Sequence, residues 1–444
     1  MMTSPVSWSD ALRFWFKLGF VSFGGPAGQI AIMHRELVEE KRWISEKRFL
    51  HALNYCMVLP GPEAQQLATY VGWLMHGTWG GIVAGALFVL PSLVILIALS
   101  SIYVSFGSVA VVAGALDGIK PAVTAIVLFA AWRIGTRTLN SPALVGIAVL
   151  SFAAIFLGNA PFPAIVAGAA LLGLLGGKLL PAQFAGSSGH QTAVEDSPAL
   201  IDDHSAAPPH AMFRWGRFSA FLAAGLSLWA ATIGLLAWHG GLDGTLARMG
   251  WFFTKAALLT FGGAYAVLPY VYQGAVESFQ WLSPQQMIDG LALGETTPGP
   301  LIMVVAFVGY LGGWTKAVLG PDSLFAGAAL AACVATWFTF LPSFLFILIG
   351  GPIVESTHGQ LRFTAPLTAI TAAVVGVIVN LGLFFAWKVW WPQATVAGPF
   401  SGTVQWFSIA LTIAASFALL RYQTGVMSII LACALAGIGR SLLL

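Results

Sequence analysis

The chain has 444 residues, length enough for about three soluble domains, yet 58% are apolar and only 8% charged, against about 25% charged in a typical soluble protein. A mean hydropathy of +0.84 leaves too much apolar surface for a water-facing core, so the solvent is lipid and the fold class is an all-α polytopic membrane protein. A net charge of +3 without a basic stripe excludes nucleic acid, and Cys56, Cys333 and Cys433 are too scattered for a disulfide framework or a CxxC site.

Fifty glycines and 23 prolines are many for a helical protein. A membrane tolerates them where helices break around a cavity or pack closely. No short apolar run with a small-residue cleavage site opens the chain, so no cleaved signal is expected.

In chain order, two interrupted segments come first: 11–38 breaks at FGG and 49–76 breaks at PGP. Proline removes a backbone donor and glycine opens conformations closed to other residues, so neither break suits a continuous helix. Apolar spans follow at 79–105 and 109–132, then a short pair at 142–157 and 161–177. Residues 182–211 turn polar, rich in Gly, Ser, Pro and acids, and read as a flexible extramembrane linker. After it come a span at 218–238, interrupted segments at 249–272 (FGG) and 285–313 (PGP), and spans at 322–350, 361–386, 404–420 and 424–439.

The two halves are related. A shift of 238 lays Lys17–Pro62 on Lys255–Pro300 without a gap, with 12 of 46 positions identical. Leu90-Pro91-Ser92 then matches Leu341-Pro342-Ser343 after a 13-residue insertion. An internal duplication follows, with an N-terminal repeat at 1–181, a linker at 182–211 and a C-terminal repeat at 212–444.

Charge decides between spanning and re-entrant segments, because Lys and Arg favour the cytoplasmic side. If all four interrupted segments span, the basic residues divide evenly. If all four re-enter, one face collects fourteen and the other keeps only Arg248, Lys255, Lys316, Lys388 and Arg440, with Lys120 inside a helix. The second arrangement is the expected one, with the N-terminus and linker cytoplasmic and the C-terminus periplasmic. An odd number of crossings precedes the second repeat in either case. The repeats are therefore inverted, with broken or re-entrant hairpins at FGG and PGP, an architecture used by transporters.

Helices that start at the breaks would present unpaired amides and positive dipole ends to an anion. Lys17 and Lys255, at equivalent positions, either add charge there or snorkel to a face. Glu63 follows the first PGP and Glu295 precedes the second. Ionisable groups at membrane depth mark pathways or proton relays, so both are candidate proton carriers, with helix capping the bland alternative for Glu63. Asp117 and Lys120 lie three apart on one helix and read as a mutually neutralising pair. Gln65, Gln66, Asn54, Thr296 and Thr297 flank the PGP breaks as neutral donors. His51 and His76 lie beside the hairpins, whereas His190, His204 and His210 in the linker read as solvated. No metal site is expected.

The strings FGGPAGQIAIMHRELVEEKRWIS and LPGPEAQQLATYVGWL, with TFGGAYAVLPYV and WLSPQQMIDGLALGETTPGPLIM in the second half, resemble the chromate ion transporter (CHR) family in its long, two-domain form. The resemblance implies export of chromate across the bacterial inner membrane, driven by the proton gradient and conferring chromate resistance, with sulfate as the close structural competitor. It places the substrate site on Phe23, Gly24, Gly25, Pro26, Pro60, Gly61 and Pro62, and on Phe261, Gly262, Gly263, Pro298, Gly299 and Pro300. Ala264 departs from the pattern where the first half has Pro26. The alternatives are a sulfate carrier or chromate/sulfate exchanger, and a channel with the same pore. A redox enzyme would need haem, flavin or paired thiols, so neither cofactor nor enzymatic activity is expected. The expected partners are the oxyanion and the bilayer; the sequence leaves a homodimer open.

Overall fold

The computed structural model describes residues 6–23, 25–184, 199–202, 208, 210–357, 364–394 and 398–443. The described residues are helical, with no strand beyond an isolated bridge between Ile44 and Ile201. In the first half, α1 (Trp8–Val21) is followed by α2 (Gly25–His34), which runs on as a π-helical turn, Arg35–Glu40. Then come α3 (Glu46–Val58) and α4 (Glu63–Phe106). Helices α5 (Ala110–Thr138), α6 (Pro142–Gly158), α7 (Phe162–Leu179) and the short α8 (Pro181–Phe184) complete that half. The second half opens with α9 (Trp215–Gly240), α10 (Thr245–Leu259), α11 (Ala264–Tyr272) and α12 (Pro284–Thr296). It closes with α13 (Val304–Thr315), α14 (Leu324–Thr357), α15 (Thr364–Trp390), α16 (Trp406–Tyr422) and α17 (Val426–Leu443). Among the described residues, seven helices are long and apolar enough to cross a membrane, and α6 and α16 are shorter apolar helices.

The interrupted segments double back. Lys17 on α1 meets Glu36 beyond α2, so the FGG segment is a hairpin. In the second half Gly274 packs on Phe252, closing the matching hairpin about Gly263. Across the PGP breaks, Arg48 near the start of α3 and Tyr70 of α4 reach the same carboxylate, Glu355. On the other side Gly290 and Gly294 pack on Phe307 and Val304. Helix α4 itself folds over at His76–Gly77, where Gly77 takes φ +65°, and Gly72 then lies against Gly80 and Ala84. Its first arm, 63–75, thus pairs with α3, and its second, 78–106, is a full span.

Helix α14 relates the two ends of the bundle. Its last turns hold Glu355 against Arg48, beside the start of α3. Its first turn follows the turn at 316–320, close to where Met249 and Trp281 pack on Gly312. The two pairs of hairpins therefore enter from opposite ends. A 14-residue helix such as α1 carries its break about 21 Å inward.

The helices behind the hairpins are exchanged between halves. Helix α5 packs on α16 and α17, and α15 packs on α6 and α7. Glycine permits close crossings: a Cβ at Gly118 would lie 2.0 Å from the Cys433 carbonyl oxygen, and one at Gly437 would lie 2.1 Å from that of Gly114. Small residues of this kind let helices meet in lipid, where apolar burial alone gives no preference. Gly118→Ala and Gly437→Ala are accordingly expected to lower the melting temperature in detergent by several degrees. Gly439→Ala, whose Cβ meets nothing within 4 Å, should be neutral or stabilising through helix propensity.

Helix α9 lies at the periphery, with only Gly225 and Leu236 buried and Leu226, Leu235 and Trp238 facing outward. Most of the linker expected at 182–211 lies outside the described residues. Its described parts are tied down: Leu200 and Ile201 donate backbone bonds to Arg42 and Trp43, and Ala211 is buried. His190 and His204 lie outside the described residues, whereas His210 departs from the solvated reading. Its ring packs edge-on against Trp73, and Arg217 donates to its carbonyl. Burial lowers its pKa and favours the neutral imidazole.

Candidate functional site

The four breaks meet, each PGP glycine bonding to the FGG break of the other half. Gly61 N–H donates to the Thr260 carbonyl at 2.7 Å, and Gly299 N–H donates to the Ser22 carbonyl at 2.8 Å. Ser22 and Thr260 are equivalent under the 238-residue shift, so the two bonds are symmetry mates. The serines of the repeated LPS motif complete the exchange. A Cβ on Gly61 would lie 2.5 Å from Ser343 Oγ, and one on Gly299 would lie 2.9 Å from Ser92 Cβ.

Serine side chains cap three of the four hairpin helices that start away from the breaks, Ser7 for α1, Ser45 for α3 and Ser283 for α12, while α10 starts after Gly244 without one. Helices that start at the breaks lack such caps. Pro62 precedes α4, Gly263 precedes α11 and Pro300 precedes the 3-10 turn leading into α13, none with a side-chain hydrogen bond. Their first-turn amides and positive dipole ends are left without side-chain acceptors at the junction.

Buried polar atoms collect there as well. Ser92 Oγ, Ser343 Oγ and the Oε1 atoms of Gln29, Gln65 and Gln66 have no hydrogen-bond partner among the described residues. All five side chains are essentially inaccessible. Unpaired polar groups at this depth are costly, so their gathering at one junction points to a polar occupant. Gln29 Nε2 donates to the Gly299 carbonyl at 2.5 Å, and Gln66 Nε2 to the Pro60 carbonyl at 2.8 Å. Ser22, Gln29, Ser92, Thr260 and Ser343 are functional candidates that sequence reading did not assign. The repeated LPS motif was the one signal for two of them.

The two acids approach one helix start. Glu63 Oε1 lies 4.0 Å from where a Cβ on Gly263 would sit, and Glu63 has no hydrogen-bond or ion-pair partner among the described residues. Glu295, buried, accepts from Tyr265 Oη at 2.5 Å. Both carboxylates therefore address residues of the α11 start, Glu63 the Gly263 backbone and Glu295 the Tyr265 hydroxyl, on the turn where Ala264 replaces the proline of the first half. Thr296 and Thr297 donate to carbonyls of their own helix, Leu293 and Gly294.

The lysines stand elsewhere. Lys17 Nζ pairs with Glu36 at 2.8 Å on a largely exposed side chain. Lys255 is exposed and lies over the Trp251 ring. No contact among the described residues joins either to the junction. Phe23, Gly25, Pro26, Pro60, Phe261 and Gly262 are half-buried around it, Pro298 is buried, and Gly24 lies outside the described residues. Asn54 is exposed, His51 half-buried, and His76 bonds to the Val6 carbonyl at 2.9 Å.

The Asp117–Lys120 pair has a third member. Lys120 Nζ lies 2.9 Å from Asp117 and 3.6 Å from buried Asp289 of α12, which also accepts from Tyr103 Oη at 2.8 Å. Lys120 thus joins α5 to the second PGP hairpin.

Comparison with known families matches the chromate transporter model over residues 9–174 and 247–438, taking in both pairs of breaks. The chain belongs to the chromate transporter family. It is 34% identical over 377 residues to a chromate transport protein of Pseudomonas aeruginosa, covering 84% of this chain and 80% of that one. It is 30% identical over 376 residues to a chromate transport protein of Cupriavidus metallidurans, covering 84% and 82%. An uncharacterized transporter of Methanocaldococcus jannaschii is 25% identical over 377 residues. No solved structure matches. As a chromate transporter family member the chain is a multi-pass membrane protein.

Proposed function

We propose that the chain exports chromate across the bacterial inner membrane, coupled to the proton gradient, through two inverted repeats (1–181 and 212–444) whose broken hairpins form the oxyanion path. The observation that carries this reading is the reciprocal bonding of the breaks, with uncapped helix starts and unpartnered serines and glutamines around it. Chromate is a tetrahedral dianion. Backbone amides and hydroxyls hold such an ion without a full buried countercharge, which leaves it free to depart. Sulfate has the same shape and charge and is the expected competitor. A sulfate carrier or chromate/sulfate exchanger is the second reading, and the same geometry supports it.

The fourteen-to-five division of basic residues favours a cytoplasmic N-terminus and linker and a periplasmic C-terminus. Glu63 and Glu295 are the proton carriers in this reading, because one lies at the Gly263 start of α11, the other on the hydroxyl of Tyr265 in its first turn, and Glu63 has no fixed partner among the described residues. Glu63→Gln/Glu295→Gln is expected to bind chromate but to lose the response of flux to an imposed pH gradient in proteoliposomes. Flux in the double variant that still follows the gradient would remove both acids from the coupling. A homodimer remains a separate proposal, to be read from mass in detergent.

A further inference from the structure

At the end of the bundle where α12 and α16 start and α15 and α17 finish, a cavity of about 410 Å³ is lined by Lys120, Lys388 and Arg440. Neither Lys388 nor Arg440 has a carboxylate partner among the described residues. Lys388 Nζ donates to the Ala394 carbonyl at 2.8 Å and lies 4.4 Å from the Trp387 ring centroid. Arg440 lies 4.8 Å over the Phe407 ring. The one acid in the wall, Asp117, is bonded to Lys120. In a chain with only 8% charged residues, three cations around one cavity, against Asp117 in the wall and Asp289 behind Lys120, leave the pocket positive through Lys388 and Arg440. Ser408 adds a hydroxyl.

Resting on the transport reading above, we infer that this cavity is a second oxyanion site, a dock for a tetrahedral dianion at the far end of the path, with Lys120 shared between the dock and Asp289. Cations and a hydroxyl set in a cavity wall suit sulfate-like ions through charge-assisted hydrogen bonds. Lys120 adds a consequence. Its second carboxylate, Asp289, stands on α12, the arm that leads to Gly299. An anion that draws Lys120 towards the cavity loosens its hold on that arm, so occupancy of the dock and the state of the break are linked. The phosphate of an anionic lipid offers the same chemistry, and the experiment separates the two sources.

Sulfate binding to the full chain is measured by calorimetry in phosphatidylcholine nanodiscs, and again in discs containing phosphatidylglycerol. The wild type is compared with Lys388→Gln/Arg440→Gln and with the charge-keeping Lys388→Arg/Arg440→Lys, which controls for folding. The expected result is loss of one binding event per chain, or about a tenfold weakening of it, in the neutral pair alone. Sulfate binding identical in all three proteins overturns the dock. Sulfate binding abolished by phosphatidylglycerol, with that lipid co-purifying with the wild type but not the neutral pair, assigns the cavity to lipid and also overturns it. Absence of chromate flux in the wild type would instead sink the transport reading. Flux with unchanged sulfate binding would sink the dock alone.

Discussion

Gly61→Ala and Gly299→Ala are each expected to abolish chromate flux while the protein still inserts. The two glycines hold φ +129° and +101°, where a side chain is strained, by about 1–3 kcal/mol. Contacts add to the strain. The Gly61 Cβ would meet Ser343 Oγ at 2.5 Å and Gln66 Nε2 at 2.6 Å, and the Gly299 Cβ would meet Ser92 Cβ at 2.9 Å. At Gly299 the fixed Ser92 Cβ forces the PGP turn back from the other half, which breaks its hydrogen bond to Ser22, whereas at Gly61 the Ser343 hydroxyl and the Gln66 amide must turn away, which breaks the Gln66 bond to the Pro60 carbonyl. Gly320→Ala is the control. It carries similar strain at φ +86° with nothing within 4 Å, so it should cost stability alone and leave flux largely intact. Equal flux loss in all three variants would show that backbone strain, and not the junction, sets the effect.

The second large effect concerns the end of the bundle near the N-terminus. Arg48 Nη2 donates to Glu355 at 2.5 Å, Tyr70 Oη donates to the other oxygen of the same carboxylate, and both ionic side chains are nearly inaccessible. Arg48→Met leaves a buried carboxylate without its cation. Removing one partner of such a pair costs about 3–5 kcal/mol, so the melting temperature in detergent should fall by several degrees. Arg48→Met/Glu355→Met removes both charges and is expected to recover most of the loss. The remainder is the Tyr70 hydroxyl left unpaired, worth about 1–3 kcal/mol. A double variant no more stable than Arg48→Met would contradict the pairing. The pair also ties α3, the arm before the first PGP, to the last turns of α14.

Much of this arrangement was legible in the residues. Apolar length gave the spans, because lipid demands about 20 apolar residues per crossing. The fixed shift of 238 gave the correspondence of breaks, and the spans at 79–105 and 322–350 match the second arm of α4 and α14. The sequence could not reveal which half each break touches. Both PGP glycines bond across the duplication, and no local pattern distinguishes Thr260 from Ser22 as the acceptor for Gly61. The exchange of α5 and α15 between halves is likewise invisible to hydropathy, which sees a helix but not its neighbour.

Lys17 and Lys255 show how equivalent positions can take different neighbours. Their equivalence left two readings, added charge at the breaks or snorkelling to a face, and Glu36 stands beside one lysine and Trp251 beside the other. The partner decides the role, and Glu36 corresponds to Gly274 in the second half. Ser92 and Ser343 show the converse: a repeated tripeptide inside an apolar run carried the signal, but only packing against the glycines gave it meaning.

The most direct test of the account is chromate flux into or out of proteoliposomes bearing the purified chain, under an imposed pH gradient and with sulfate as competitor. Uphill chromate movement that collapses with an uncoupler and is inhibited by sulfate is the expected result. Chromate that only runs down its own gradient, or moves uphill solely against opposing sulfate, would contradict proton-coupled export.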